Sequence, residues 1–129
     1  MANADKETFS IPLIVLEWSE WRAWNDLKVG AKYEGGVTIP QVAGVYEVKY
    51  ADDDRQLTIG KTFSLRRRIK RQLVRGKSHS SGKKIRANED VSRIVVRWAT
   101  TDRRAAAEEE LHKKHKAKFG DLPKYTEHT

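Results

Sequence analysis

Between Gly44 and Arg75 the apolar spacing changes once, from every second residue to every fourth, and no other part of the 129-residue chain restricts its fold so tightly. Tyr46, Val48 and Tyr50 alternate with Val45, Glu47 and Lys49, which predicts a strand opening at Gly44. Asp52, Asp53 and Asp54 favour a turn, and Leu57 to Gly60 predicts a second strand, antiparallel to the first. Leu65, Ile69 and Leu73 at i, i+4 and i+8 then predict a helix, capped by Thr62 or Ser64 and stopped after about Arg75 by Gly76.

Ile94, Val95, Val96 and Trp98 predict a third strand, apolar enough to be central. Residues 77–90, basic and containing Ser and Gly, read as a loop. Asp102 is the expected cap of a last helix that runs through Ala105, Ala106 and Ala107 to about Phe119 and ends at Gly120. Upstream, residues 1–10 are polar and expected to fray, and Ile11 to Leu16 has the length of a strand or docking segment. Ser19 is the expected N-cap of a helix over Glu20–Lys28 with Gly30 beyond it, and residues 33–43, with Gly35, Gly36 and Pro40, read as a loop. Trp18, Trp21 and Trp24 recur at every third position, which predicts one apolar stripe for core packing or docking, with base stacking as the alternative. The expected organisation is an N-terminal extension over 1–39 with a short Trp-rich helix, then a domain over 40–129. The fold class is α/β (α+β), in the order α-β-β-α-β-α, with a small, mainly antiparallel three-stranded sheet whose faces the two long helices cover.

The chain has no Cys, so disulfides, thiolate zinc sites, iron–sulfur clusters and a cysteine nucleophile are excluded. No apolar run has the length of a membrane span and the N-terminus has no signal-peptide pattern, so a soluble, cytoplasmic protein without membrane contact is expected. The net charge of +8 is unevenly placed. Residues 1–60 hold 6 basic and 10 acidic side chains; residues 61–86 hold 11 basic and no acidic ones; the remainder holds 9 and 8. An acid-free basic run is the footprint of a phosphate-backbone binder, whereas a surface serving solubility intersperses its charges. Its candidate nucleic-acid contacts are Arg66, Arg67, Lys70, Arg71, Arg75, Lys77, Lys83 and Lys84, and a solvated basic helix is the bland alternative.

Three positions combine reactive chemistry with suitable placement. Tyr46 brings a hydroxyl to the start of the basic helix, where an ordinary strand tyrosine is the simpler reading. At about 100° per residue, Arg66 and Arg68 flank the apolar stripe of that helix and Arg67 points to solvent. On the last helix Glu108 falls within the stripe marked by Leu111 and Phe119, away from Glu109 and Glu110, so it needs a divalent cation or a flank arginine as partner. His112 and His115 lie at i, i+3 but lack a third ligand for zinc, and His79 stands in the basic loop near the expected phosphate.

Taken together, these residues resemble the GIY-YIG nuclease domain over about Pro40 to Thr126. Gly44-Val45-Tyr46 is similar to the GIY element and Thr58-Ile59-Gly60 to YIG; Lys61 to Arg68 resembles the GKT-x-x-L-x-x-R run, and Glu108 with Leu111-His112 the E-x-x-L-I helix. The resemblance implies hydrolysis of a DNA phosphodiester, with RNA not excluded, by one divalent metal, Mg²⁺ or Mn²⁺. It assigns Glu108 as the metal ligand, Arg68 as the phosphate and transition-state clamp, Tyr46 as the group that positions or deprotonates water, and Lys61 and His79 as secondary groups. Thr58 stands in place of the second tyrosine, Gln72 in place of a frequent histidine, and Gly120 or Thr126 in place of the asparagine that follows the catalytic helix. These departures leave open a binding module of the same fold without chemistry. The short extension leaves specificity to a homodimer or a partner protein, for which the Trp stripe is the expected docking surface.

Overall fold

The computed structural model describes residues 13–28, 36–76 and 80–126. Among these residues four strands form one antiparallel sheet: β1 (Arg22–Ala23), β2 (Gly44–Tyr50), β3 (Gln56–Thr62) and β4 (Ile94–Thr100), in the spatial order β1, β4, β2, β3. The predicted hairpin is β2 with β3, Tyr46 opposite Gly60 and Val48 opposite Thr58. On its other side β2 pairs with β4, Tyr46 opposite Trp98, so the predicted third strand does lie inside the sheet.

The fourth strand corrects the expectation of three. The Ser19 amide donates to the Trp98 carbonyl at 2.8 Å, and the Ser19 hydroxyl accepts from the Trp98 amide at 3.0 Å. Ser19 therefore aligns the chain with β4 instead of capping a helix, and Arg22 pairs opposite Val96. Only Trp24–Lys28 becomes helical, as a 3₁₀ turn. The three indoles accordingly do not form one stripe. Trp24 is fully buried in the main core, while Trp18 and Trp21 both meet the Arg97 guanidinium, 4.1 and 4.5 Å from their ring centres. Arg97 also donates from Nε to the buried Glu47 carboxylate at 2.7 Å.

Alternation along β2 and β4 sorts their side chains into two cores. Tyr46, Val48, Val96 and Trp98 join Trp24, Leu65, Ile69, Leu73 and Ile85 in the larger one. Val45 and Ala99 face the other way, against Ala107 and Leu111 of helix α2 (Arg104–Phe119) and against Ile14, Leu16 and Trp18.

The basic segment is helical from Leu65 and takes π geometry over Arg67–Leu73, where the Val74 amide donates to the Ile69 carbonyl at 3.1 Å. Within the expected loop at 77–90, Ser80–Asn88 instead forms an α-helix, α1. Gly82, a loop signal in sequence, here permits close packing: a Cβ on it would stand 2.4 Å from the Leu73 carbonyl oxygen. Ile85 of α1 is fully buried, and Arg86 donates to the carbonyls of Leu73 and Gly76 at the end of the basic helix. At the start of α2 the Thr101 hydroxyl, not Asp102, accepts the Arg103 amide, at 3.0 Å. The helix ends as expected at Gly120, whose φ of 84° suits glycine. The expectations for residues 1–10, Gly30 and Gly35 lie outside the described residues. No helix among the described residues is long and apolar enough to cross a membrane.

Candidate active site

A cleft of about 370 Å³ gathers side chains from β2, β3, the basic helix, α1 and α2. Tyr46, Lys61, Arg67, Arg68, Arg104 and Glu108 line it, with Thr58, Thr62, Phe63, Ser64, Gln72 and Ser81. Tyr46, Arg68, Glu108 and Lys61, which lie up to 62 positions apart in the chain, thus share one cavity. Lys77 and His79 lie outside the described residues.

Tyr46 is only 2% exposed, and its ring reaches the cleft by crossing its strand partner Gly60. A Cβ on Gly60 would stand 2.4 Å from both Cζ and the hydroxyl oxygen of Tyr46. Glycine is therefore required at this point of β3, because any side chain would occupy the volume of the phenol.

Glu108 is the withdrawn member of its acidic run, its side chain 14% exposed against 68% for Glu109 and 69% for Glu110. The compensating group is Lys61, its Nζ 3.9 Å from Oε1, and not the flank arginine that the helix geometry allowed. A contact of that length is loose, and Oε2 has no partner among the described residues. Among the described residues no three His, Cys, Asp or Glu side chains come together there to cage an ion. One carboxylate with a free oxygen suits a hard cation that keeps most of its water, as Mg²⁺ does, and does not suit an ion that needs a full set of protein ligands.

The arginines of the basic helix differ in what they meet. Arg68 lines the cleft, and its Nε is buried without a hydrogen-bond partner. A buried donor left unpaired costs free energy. Arg67 is exposed, as expected, and at the same time lines the cleft. Arg66 instead donates from Nε to the Ile39 carbonyl at 2.8 Å, which ties it to the preceding loop. Lys70 is held below the ordinary lysine pKa by burial and by the nearby Arg66 and Arg75 charges. Arg71 and Arg75 are exposed on the basic helix, and Lys83 and Lys84 on α1.

Two cleft residues escape a reading of the sequence. Arg104 sits four positions before Glu108, a spacing that places both on one helix face. Its Cζ lies 3.6 Å from the ring centre of Phe63, which is 77% exposed in the turn leaving β3. Thr58, at the place of a second phenol, donates its hydroxyl to the Tyr125 carbonyl at 3.1 Å, and Ser81 donates to the same oxygen at 2.9 Å.

The histidines of α2 face the backbone. His115 Nε2 accepts the Gln56 amide at 3.1 Å while Nδ1 donates to the Asp121 carbonyl at 2.7 Å. His112 Nε2 lies 3.3 Å from the Ile59 carbonyl, a partner that requires this nitrogen to carry the proton.

Compared with known proteins, the chain matches no family model, no curated protein and no solved structure.

Proposed function

We propose that this protein is a metal-dependent endonuclease of GIY-YIG type that hydrolyses DNA phosphodiester bonds, using Mg²⁺ or Mn²⁺. The observation that carries the reading is the convergence of Tyr46, Arg68, Lys61 and Glu108 on one cleft bordered by the acid-free basic segment. Each group has a task in phosphodiester hydrolysis. Arg68, from the wall of the cleft, binds the non-bridging oxygens and stabilises the charge that grows on them in the transition state. Tyr46, fixed by its passage over Gly60, positions the attacking water or, as the phenolate, takes up its proton. Glu108 would hold the divalent cation, with Lys61 loosely paired to the same carboxylate at 3.9 Å. When bound, the cation supplies charge neutralisation at the phosphate and at the departing oxygen.

Supercoiled plasmid incubated with the protein and Mg²⁺ or Mn²⁺ is expected to yield nicked and linear forms. EDTA, Glu108→Ala and Arg68→Ala should each abolish them. Cleavage that persists in both variants rejects the assignment.

One observation favours a second reading, a nucleic-acid-binding module without chemistry. The hydroxyl of Thr58 is committed to the Tyr125 carbonyl and leaves Tyr46 as the only phenol lining the cleft among the described residues. Such a module binds with log K falling steeply against log salt and never cuts.

A further inference from the structure

We propose that Phe63 and Arg104 form a docking platform for an unpaired nucleobase next to the scissile phosphate, so that the preferred substrate carries a bulge, flap or single-stranded junction at the cut. The proposal rests on the reading of the cleft as a nucleic-acid site and names the class of nucleic acid. Phe63 is 77% exposed although it belongs to the turn that joins β3 to the basic helix and lines the cleft. A large apolar ring so placed gains nothing for the core, and both apolar clusters form without it. Arg104 lies against one side of the ring at 3.6 Å, and the guanidinium has no carboxylate partner among the described residues. The pair thus presents an open aromatic surface beside an uncompensated cation, at the rim of a cavity already lined by Lys61, Arg67 and Arg68.

That combination matches a single nucleotide. Arg104 takes the phosphate that flanks the one held by Arg68, and the free side of the Phe63 ring takes the attached base. Guanidinium and base then cover the ring from opposite sides. A base within continuous duplex is already stacked on both neighbours and reaches an aromatic ring only by being extruded, at a cost that an unpaired base does not incur. Stacking of a base on an aromatic side chain is insensitive to its identity, so the platform selects for structure and not for sequence.

The test measures binding in EDTA, which separates it from cleavage. Fluorescence anisotropy compares a fully paired DNA duplex with the same duplex carrying one unpaired 2-aminopurine bulge. The full-length protein is expected to bind the bulged duplex about tenfold more tightly and to quench the 2-aminopurine. In Phe63→Ala the ratio of the two affinities should fall to about one and the quenching should disappear, while Phe63→Trp should restore both. Arg104→Ala should weaken binding to both duplexes and lower the salt slope by about one. A wild-type ratio near one, a ratio unchanged in Phe63→Ala, or failure to bind either duplex overturns the platform. A wild-type ratio near one with intact plasmid nicking removes the platform and leaves the nuclease reading standing. The tenfold ratio without any nicking does the reverse.

Discussion

At the scale of single residues, the contact between Tyr46 and Gly60 carries the sharpest expectations. Gly60→Ala places a methyl group where the phenol lies. Overpacking of this kind costs about 1–3 kcal/mol, read as a lower urea midpoint, and nicking should be lost because Tyr46 is displaced from the cleft. Tyr46→Phe keeps the ring and removes the hydroxyl, so stability should change little while the cleavage rate falls by about 10²-fold or more. Loss of stability comparable to Gly60→Ala would instead show that the hydroxyl is structural. The sequence discloses these positions unequally. Glu108 is legible because α2 keeps the α repeat and its neighbours Glu109 and Glu110 turn outward. The π geometry over Arg67–Leu73 is not, because nothing in Arg66 to Leu73 announces it. Phe63 and Arg104 lie 41 positions apart and meet only through the fold.

At the scale of elements, Glu89 joins parts of the chain that no local pattern connects. Its carboxylate, 8% exposed, accepts from Tyr50 at 2.7 Å, from Tyr125 at 2.5 Å and from Lys124 at 2.6 Å, and so ties the segment after α2 to β2 and the end of α1. Burial raises the Glu89 pKa, but the hydrogen bonds from Lys124, Tyr125 and Tyr50 outweigh it and hold the group below its ordinary 4.5. Glu89→Ala should therefore cost about 2–3 kcal/mol near neutral pH, measured by urea unfolding. The folded carboxyl releases its proton more readily than the unfolded one, so its contribution is present above about pH 4.5 and is lost as the pH falls through the lower folded value. The gap between wild type and Glu89→Ala should close in acid. A gap of constant size from pH 7 to 3 would show that the ionised form is not what matters. Element boundaries in the sequence fail for related reasons: Gly82 and its serines look like a loop until Leu73 and the Arg86 guanidinium are beside them, and Ser19 looks like a cap until the Trp98 backbone competes for it.

For the whole molecule, charge and titration set the working range. Tyr50 is raised by its hydrogen bond to Glu89 and by burial, and Tyr125 by burial and then by Glu89. Both phenols thus keep their protons more tightly when folded, and their contribution falls as the pH climbs above about 10. The melting temperature should accordingly form a plateau bounded by carboxylate protonation on one side and phenol ionisation on the other. Affinity for any polyanion should depend on salt through the segment 61–86, and replacing Lys83 and Lys84 together by Ala should reduce the slope of log K against log salt by about two if both meet phosphates. The antiparallel hairpin, the inner position of β4 and the helix after β3 are readable because hydrophobic period is a local signal. β1 is not, since two residues of strand leave no period to detect.

The outer margin of β3 shows what the segment after α2 does for the protein as an assembly partner of itself. His115 takes the Gln56 amide, His112 faces the Ile59 carbonyl and the Tyr125 amide takes the Leu57 carbonyl, so backbone groups that a neighbouring ladder would seek are already engaged. Ending the chain after Pro123 uncovers the Leu57 carbonyl and releases the hydroxyls of Thr58 and Ser81. Such a shortened protein should elute from size exclusion in concentration-dependent larger species, because two molecules can then anneal edge to edge where one now closes upon itself.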